Sequence, residues 1–384
     1  NKKEKSFFMK ILAIETSCDD TGIAVLDNSK ILSNIVSSQI EIHRKWGGVY
    51  PALAKREHQK NLIIVLKKAL SRANLLEREN SFDSKKEGKI KEILYREKDL
   101  LKEFLDFLKK YKKPKIDMIA ITVGPGLEPC LFSGLNFAKA LSFYFDIPLF
   151  AVNHIEAHIL SNFIPRRKEK KLQFEKSIFP ALCLIVSGGH TQLVLMNKIG
   201  KYKTIGETRD DAAGECFDKT ARILGLSYPG GPSIAKEAAK KEKEKKFSIC
   251  LPRPMINSKD YDFSFSGLKT AVLYKTKEDK KLINSDYKRE MAREIQQAII
   301  DVLIKKTLRA ARDFKVKTII LGGGVSANNE LRKQMKLKAK GFNFFVPEKR
   351  FTGDNGAMVG FAAFLKKEKG KDWKKAKVNA NLKI

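Results

Sequence analysis

The chain has 384 residues, 43% of them apolar, enough for a sizeable core and two or three domains, which excludes a fully disordered protein. Its 76 basic side chains outweigh 44 acidic ones to a formal charge of +32, which points to a polyanionic partner, nucleic acid or an acidic membrane surface. The longest apolar run, residues 178–186, contains Pro180 and is too short for a spanning helix, so a membrane protein is not expected.

In chain order, a basic start gives way to an apolar run that Glu15 cuts short, which reads as a core strand and not as a signal peptide. Residues 10–14 and 22–26 are two short strands around a polar turn, 15–21. Leu62, Val65, Leu66, Ala69 and Leu70 share one face of a helix over 55–70. Residues 77–113 crowd both charge signs together. Ile90, Ile93, Leu94, Leu101, Phe104, Leu105 and Leu108 recur there at helical spacing and predict one amphipathic helix over 89–110, packed as an insertion.

Residues 116–123 form a buried strand ending in Gly124-Pro125-Gly126. A helix over 133–145 and a strand over 149–153 follow. Near the end, a strand over 318–321 runs into Gly322-Gly323-Gly324 and a helix over 327–338. Strands alternating with helices predict an α/β architecture. Residues 11–26 and 184–195 both read strand, polar turn, strand, which suggests two similar lobes.

The lysine-rich stretches 166–171, 236–246 and 366–377 read as solvated faces. Lysine exceeds arginine, 60 to 16, although arginine is the preferred residue for bidentate phosphate contacts, so part of the charge is a compositional habit. Cys18, Cys130, Cys183, Cys216 and Cys250 include no C-x-x-C pair and read as reduced thiols of a cytoplasmic protein.

His154 and His158 stand at i and i+4, so on a helix both imidazoles project from one face, a frequent metal-ligand spacing. His154-Ile155-Glu156-Ala157-His158 departs from the metalloprotease pattern H-E-x-x-H, whose carboxylate directly follows the first histidine. At roughly 100° per residue, Glu156 turns about 200° away from His154. Asp354, in a turn before an apolar helix over 357–365, is the best third ligand, or only a helix-start stabiliser. Two histidines and one aspartate suit iron, zinc or manganese better than magnesium.

Ser187-Gly188-Gly189-His190-Thr191 is a hairpin turn in which glycine permits positive φ and lets a phosphate approach backbone N–H groups. Gly322-Gly323-Gly324 sits between a strand and a helix, the layout that aims a helix start at an anion. The acidic run 207–218 precedes an apolar helix over 221–226. Asp218 can accept from ribose hydroxyls, with capping as the plain alternative for the run. No Ser–His–Asp or Cys–His nucleophile is evident, and the carboxylates around Cys18 raise its pKa.

Together, Ile14-Glu15-Thr16-Ser17-Cys18-Asp19-Asp20-Thr21, Asn153-His154-Ile155-Glu156-Ala157-His158, Val186-Ser187-Gly188-Gly189-His190-Thr191-Gln192, residues 210–219, residues 322–328 and Asp354-Asn355-Gly356-Ala357-Met358 resemble the tRNA N6-adenosine threonylcarbamoyltransferases (the TsaD/Gcp family), most closely the bacterial TsaD branch. The resemblance runs in order from residue 9 to about 364. It implies a two-lobed ASKHA (actin/sugar kinase/Hsp70-like) fold with duplicated lobes and a nucleotide cleft between them. The N-terminal lobe would be 9–152, with the insertion 77–113, completed by 355–384, and the C-terminal lobe 153–354.

It implies transfer of the threonylcarbamoyl group from threonylcarbamoyl-AMP to N6 of the adenosine following the anticodon (t6A), in tRNAs reading codons that begin with A. By position, His154, His158 and Asp354 look like ligands of one divalent metal ion, iron or else zinc. Ile185, Val186, Ser187, Gly188, Gly189, Asp218, Gly231 and Asn328 look like the intermediate-binding residues. Glu15 sits in the acidic turn near the phosphates and is the catalytic candidate. Beside tRNA, the implied partners are a catalytically silent TsaB-like paralogue and a TsaE-like P-loop ATPase, with no membrane. The 77–113 insertion departs from the compact bacterial pattern. A small-molecule phosphotransferase is the alternative, and a metalloprotease is disfavoured.

Overall fold

A computed structural model describes residues 9–80, 82–165, 178–240, 248–366 and 370–384. The lysine-rich stretch 166–171 lies outside the described residues, as do 241–246 and 367–369 of the other two. The chain forms two compact units. One comprises Asn1–Gln39, Val49–Leu172 and Asp354–Ile384, the other Ile40–Gly48 and Gln173–Gly353. The division expected after residue 152 falls later, because the helix His154–Leu160 packs on the helix Gly356–Lys366 and so joins the first unit. Among the described residues, no helix is long and apolar enough to cross a membrane.

The first unit is built on β1 (Lys10–Glu15), β2 (Asp20–Asp27), β3 (Lys30–Ser38), β4 (Met118–Gly124) and β5 (Leu149–Asn153), in the order β3-β2-β1-β4-β5. β1 and β2 pair antiparallel with Ile14 opposite Ile23, whereas β1 and β4 run parallel. Side chains alternate across a strand. Leu12, Ile14, Ile23 and Val25 therefore face a core shared with the helices Pro51–Arg72 and Glu128–Phe145. The opposite face, with Ala13 and Leu26, lies against the helix Gly356–Lys366. A Cβ at Gly356 would stand 2.5 Å from the Ala24 nitrogen, so only glycine lets this helix start so close to the sheet. That approach fixes where Asp354, two residues earlier, is held. The Gly124-Pro125-Gly126 turn is tied down by the C-terminal segment: Asn379 N–H donates to Val123 O (2.9 Å) and Gly126 N–H to Ala380 O (3.1 Å).

The single helix expected over 89–110 is two, Glu87–Ile93 and Lys98–Lys110. No glycine or proline marks the break. Glu97 sets it: its side chain is 1% exposed and accepts from Asn136 of the neighbouring helix (3.2 Å), so the chain must turn inward there. Both pieces still bury apolar residues in the unit's core, among them Ile90, Leu100, Phe104 and Leu108.

The second unit repeats the plan. β6 (Ala181–Val186), β7 (Thr191–Lys198), β8 (Lys201–Glu207), β9 (Thr318–Gly322) and β10 (Asn343–Phe345) lie in the order β10-β9-β6-β7-β8. The opening strands β6, β7 and β8 form antiparallel pairs, and β6 pairs with β9 in parallel, as β1 does with β4. The two similar openings noticed in the sequence are thus the first two strands of two equivalent sheets, β1–β2 and β6–β7. Leu182, Leu184, Val186 and Leu193 pack with Phe217, Phe263, Phe265 and Met291 under the long helix Ser285–Asp313. The helix expected over 221–226 spans Ala213–Ile223, because Thr191 Oγ1 accepts from the Ala213 N–H (2.9 Å) and lets it start earlier.

Candidate functional site: a histidine pair and a pocket of helix starts

In the first unit, Asn153 at the end of β5 caps the helix His154–Leu160, accepting from Ile155 N–H (2.8 Å) and Glu156 N–H (3.1 Å). The helix period then stacks the two imidazoles, with ring centroids 4.5 Å apart at 81°. His158 Nε2 lies 3.2 Å and His154 Nε2 3.6 Å from the same Asp354 Oδ1. Ligand atoms of the three residues all fall within 4.8 Å of one another. Asn355, not Asp354, stabilises the following helix start, accepting from Met358 N–H (3.1 Å). Asp354 is thereby left to the histidines.

The donor set fits a metal ion. His158 is fully buried: its Nε2 meets the Asp354 carboxylate without hydrogen-bond geometry and its Nδ1 has no hydrogen-bond partner, an arrangement that a cation shared by Nε2 and the carboxylate would satisfy. Behind the pair, Glu15 Oε2 lies 3.2 Å from His154 Nδ1 and accepts from Thr122 Oγ1 (2.6 Å), while Oε1 accepts from Ser17 N–H (2.6 Å). Such a carboxylate–histidine contact fixes the ring that turns its other nitrogen to a metal. Burial would push the Glu15 carboxyl up, but the adjoining His154 holds it below its usual value. Burial disfavours protonated His154, yet Asp354 and Glu15 raise it to about 9, so the cluster attracts positive charge. Glu15 is fully buried with both oxygens engaged, which makes it a positioning residue for His154 and not an open phosphate contact.

Glu156 points elsewhere, its Oε2 2.8 Å from Lys366 Nζ, as its helical angle from His154 predicts. Burial, then the neighbouring Asp19, pushes the Cys18 thiol well up, so it is no nucleophile at neutral pH.

In the second unit a cavity of about 1030 Å³ is lined by Gly188, Asp218, Gly231 and Asn328, four of the expected binding residues. Gly214, Gly231 and Asn329 also line it, at the starts of the helices Ala213–Ile223, Gly230–Ala238 and Asn329–Lys338. Three helix starts meeting at one cavity favour an anion through the positive ends of their dipoles, although Ala213, Gly214, Gly230, Glu330 and Leu331 N–H already have acceptors within the protein. The sequence reading found the Gly322–Gly324 start but missed the convergence, which depends on tertiary packing.

Gly323 makes the approach possible: at φ +84 its missing Cβ would stand 2.5 Å from Val186 O. Gly188 and Gly189 are not at positive φ, contrary to expectation, because Ser187 N–H to His190 O (2.8 Å) closes that turn without it.

Ile185 and Val186 are wholly buried in β6 and do not line the cavity. Ser187 Oγ accepts from His190 N–H (3.1 Å), and neither Ser187 nor Gly189 lines the cavity. Asp218 Oδ1 accepts from Gly230 N–H (2.6 Å), pinning one helix start beside another. Asn328 caps its helix through Glu330 and Leu331 N–H (both 3.0 Å) and donates to Gln296 (2.8 Å). Most of the acidic run is structural: Asp210 accepts from Phe265 and Ser266 N–H, and Asp211 pairs with Lys219 and Lys269.

A family model described as tRNA N6-adenosine threonylcarbamoyltransferase (TsaD) matches residues 30–79 and 98–361, passing over 80–97 inside the charged insertion. A relative of that description from Thermosipho africanus (strain TCF52B) is 43% identical over 364 residues, 94% of this chain and 96% of its own length. One from Thermodesulfovibrio yellowstonii is 44% identical over 367 residues, with 94% and 96% covered. Among solved structures, HypF of T. kodakarensis aligns at TM-score 0.53 and 14% identity over 94% of this chain and 48% of HypF. A full-length HypF in the phosphate- and nucleotide-bound form gives 0.51 and 13%, over 94% and 55%. These two likenesses concern the fold alone, the two-lobed α/β ASKHA fold.

Proposed function

The chain belongs to the tRNA N6-adenosine threonylcarbamoyltransferase (TsaD) family, and from that premise we propose how its residues carry out the transfer of a threonylcarbamoyl group to N6 of an adenosine in tRNA. The cavity of the second unit takes threonylcarbamoyl-AMP, with its phosphate toward the three helix starts at Gly214, Gly231 and Asn329. His154, His158 and Asp354 hold one divalent metal ion, iron in preference to zinc, and Glu15 orients His154. When bound, such an ion supplies Lewis-acid charge to a phosphate or carbonyl oxygen.

The adenosine N6 attacks the carbamoyl carbon. A C–N bond forms, the C–O bond to the phosphate breaks, AMP leaves and a proton departs from N6. The protein contributes positioning and fixed dipoles and no covalent intermediate. We place the protein in the cytoplasm with tRNA, a TsaB-like paralogue and a TsaE-like ATPase as partners.

The observation that carries this reading is the convergence of two buried histidines, His154 and His158, on one oxygen of Asp354, in a chain of this family. Purified protein with its partner proteins, threonylcarbamoyl-AMP and unmodified tRNA should yield threonylcarbamoyladenosine. Absence of product with partners present would count against the reading. His158→Ala should lose most bound metal by elemental analysis together with activity. Unchanged metal content would overturn the ligand assignment.

A further inference from the structure

The helix Ser285–Asp313 serves two hollows of the second unit. Glu290 to Gln297 line the cavity already described, and Asp301 to Arg312 line a second one of about 760 Å³. Six cations edge this second hollow: Arg253, Lys305, Lys306, Arg309, Arg312 and Lys338. Asp301 is its one acidic lining residue, and Arg253 already pairs with it (3.1 Å) and with Glu294.

The remaining cations are not neutralised by their own chain to the same degree. Lys306 is fully buried, anchored by Ser258 Oγ (2.7 Å) and by Asp260, whose carboxylate is 3.6 Å away. Arg309 lies over the Tyr261 ring (4.9 Å) and donates to the Ser258 and Asp260 carbonyls, and its buried Nε has no hydrogen-bond partner. Lys305 is held by the neutral Asn257 amide oxygen (2.7 Å). Among the described residues, Arg312 and Lys338 make no ion pair.

Lys305, Arg309 and Arg312 stand at i, i+4 and i+7, a row on one helix face with steps of about 6 and 5 Å along the axis. A row of cations with donors to spare suits a strung polyanion better than a single compact anion. It begins about 12 Å along the helix from Gln297, beyond the reach of an adenylate in the first cavity but not of a macromolecular acceptor.

We propose that this hollow binds backbone phosphates of the tRNA substrate, so that one helix supports both the adenylate pocket and an RNA docking row. The inference rests on the function proposed above, since it takes tRNA as the acceptor. Phosphate contacts of this kind position the RNA without reading its sequence.

The test is the full chain carrying Lys305→Glu and Arg312→Glu, two exposed positions outside the core, with an unchanged thermal melt as the check on folding. The double variant should bind tRNA about tenfold or more weakly, with a salt slope shallower by about two. KM for tRNA should rise, while kcat and the affinity for threonylcarbamoyl-AMP stay as in wild type. Unchanged tRNA affinity and KM, beside a wild type that modifies tRNA, overturn this inference alone. Tripolyphosphate binding lost in the variant, with tRNA affinity intact, reassigns the hollow to a free phosphate compound and overturns the RNA assignment. A wild type that, with its partners, neither binds nor modifies tRNA sinks the functional reading and this inference together.

Discussion

Glu15 shows what a single residue owes to distant chain. Its carboxylate meets Thr122 and His154, partners 107 and 139 positions away, and that separation conceals its role in the sequence. The acidic turn is plain to see in one dimension, but whether an acid there meets a ligand or a histidine is settled by the strand pairing of β1 and β4. The clustering of His154, His158 and Asp354 is easier to read, because the two histidines share a helix face and Asp354 stands beside a helix start. Even so, the choice between ligand and cap at residue 354 depended on Asn355 taking the cap. Glu15→Gln should therefore weaken metal binding about 10- to 100-fold in a chelator competition, because a neutral amide orients the imidazole less firmly. An affinity equal to wild type would refute the positioning role.

At the scale of elements, the strands and most helices follow from apolar spacing, and the misreadings cluster where a polar side chain sets the boundary. Glu97 breaks the charged insertion into two helices without a glycine or proline, and Thr191 starts the helix at Ala213 early. Neither signal is periodic, so a reading of apolar spacing passes over both. Glycine marks the other kind of constraint, close approach. Gly356→Ala would drive a methyl toward the Ala24 nitrogen 2.5 Å away and move the helix that follows Asp354. The cost expected from overpacking is about 1–3 kcal/mol in urea unfolding, with metal content lowered at the same time. A stable variant with full metal content would show that the sheet yields more easily than the geometry implies.

For the whole molecule, the charge of +32 and the family point to the same partner, and the charge governs the strength of the encounter more than the chemistry. Affinity for tRNA should fall about 10³-fold or more between 50 and 200 mM salt if six or more phosphates are contacted, while kcat at saturating tRNA changes little. A flat salt response would mean that the lysines are only a compositional habit. The duplicated strand order was visible at its openings, residues 11–26 and 184–195, but the units' true membership was not. The first unit is made from the two ends of the described chain and the second mostly from its middle. On a ribosome the order of appearance is then fixed. Both histidines emerge early and wait for Asp354 while nearly the whole second unit is made. At 5–20 residues per second that interval is on the order of 10–40 s. During it all five strands of the first sheet have been made, but Asp354 and the helix Gly356–Lys366 that covers one face have not. Capture of the proposed metal would thus be a late event in biogenesis, since any chain released before residue 354 is made lacks Asp354.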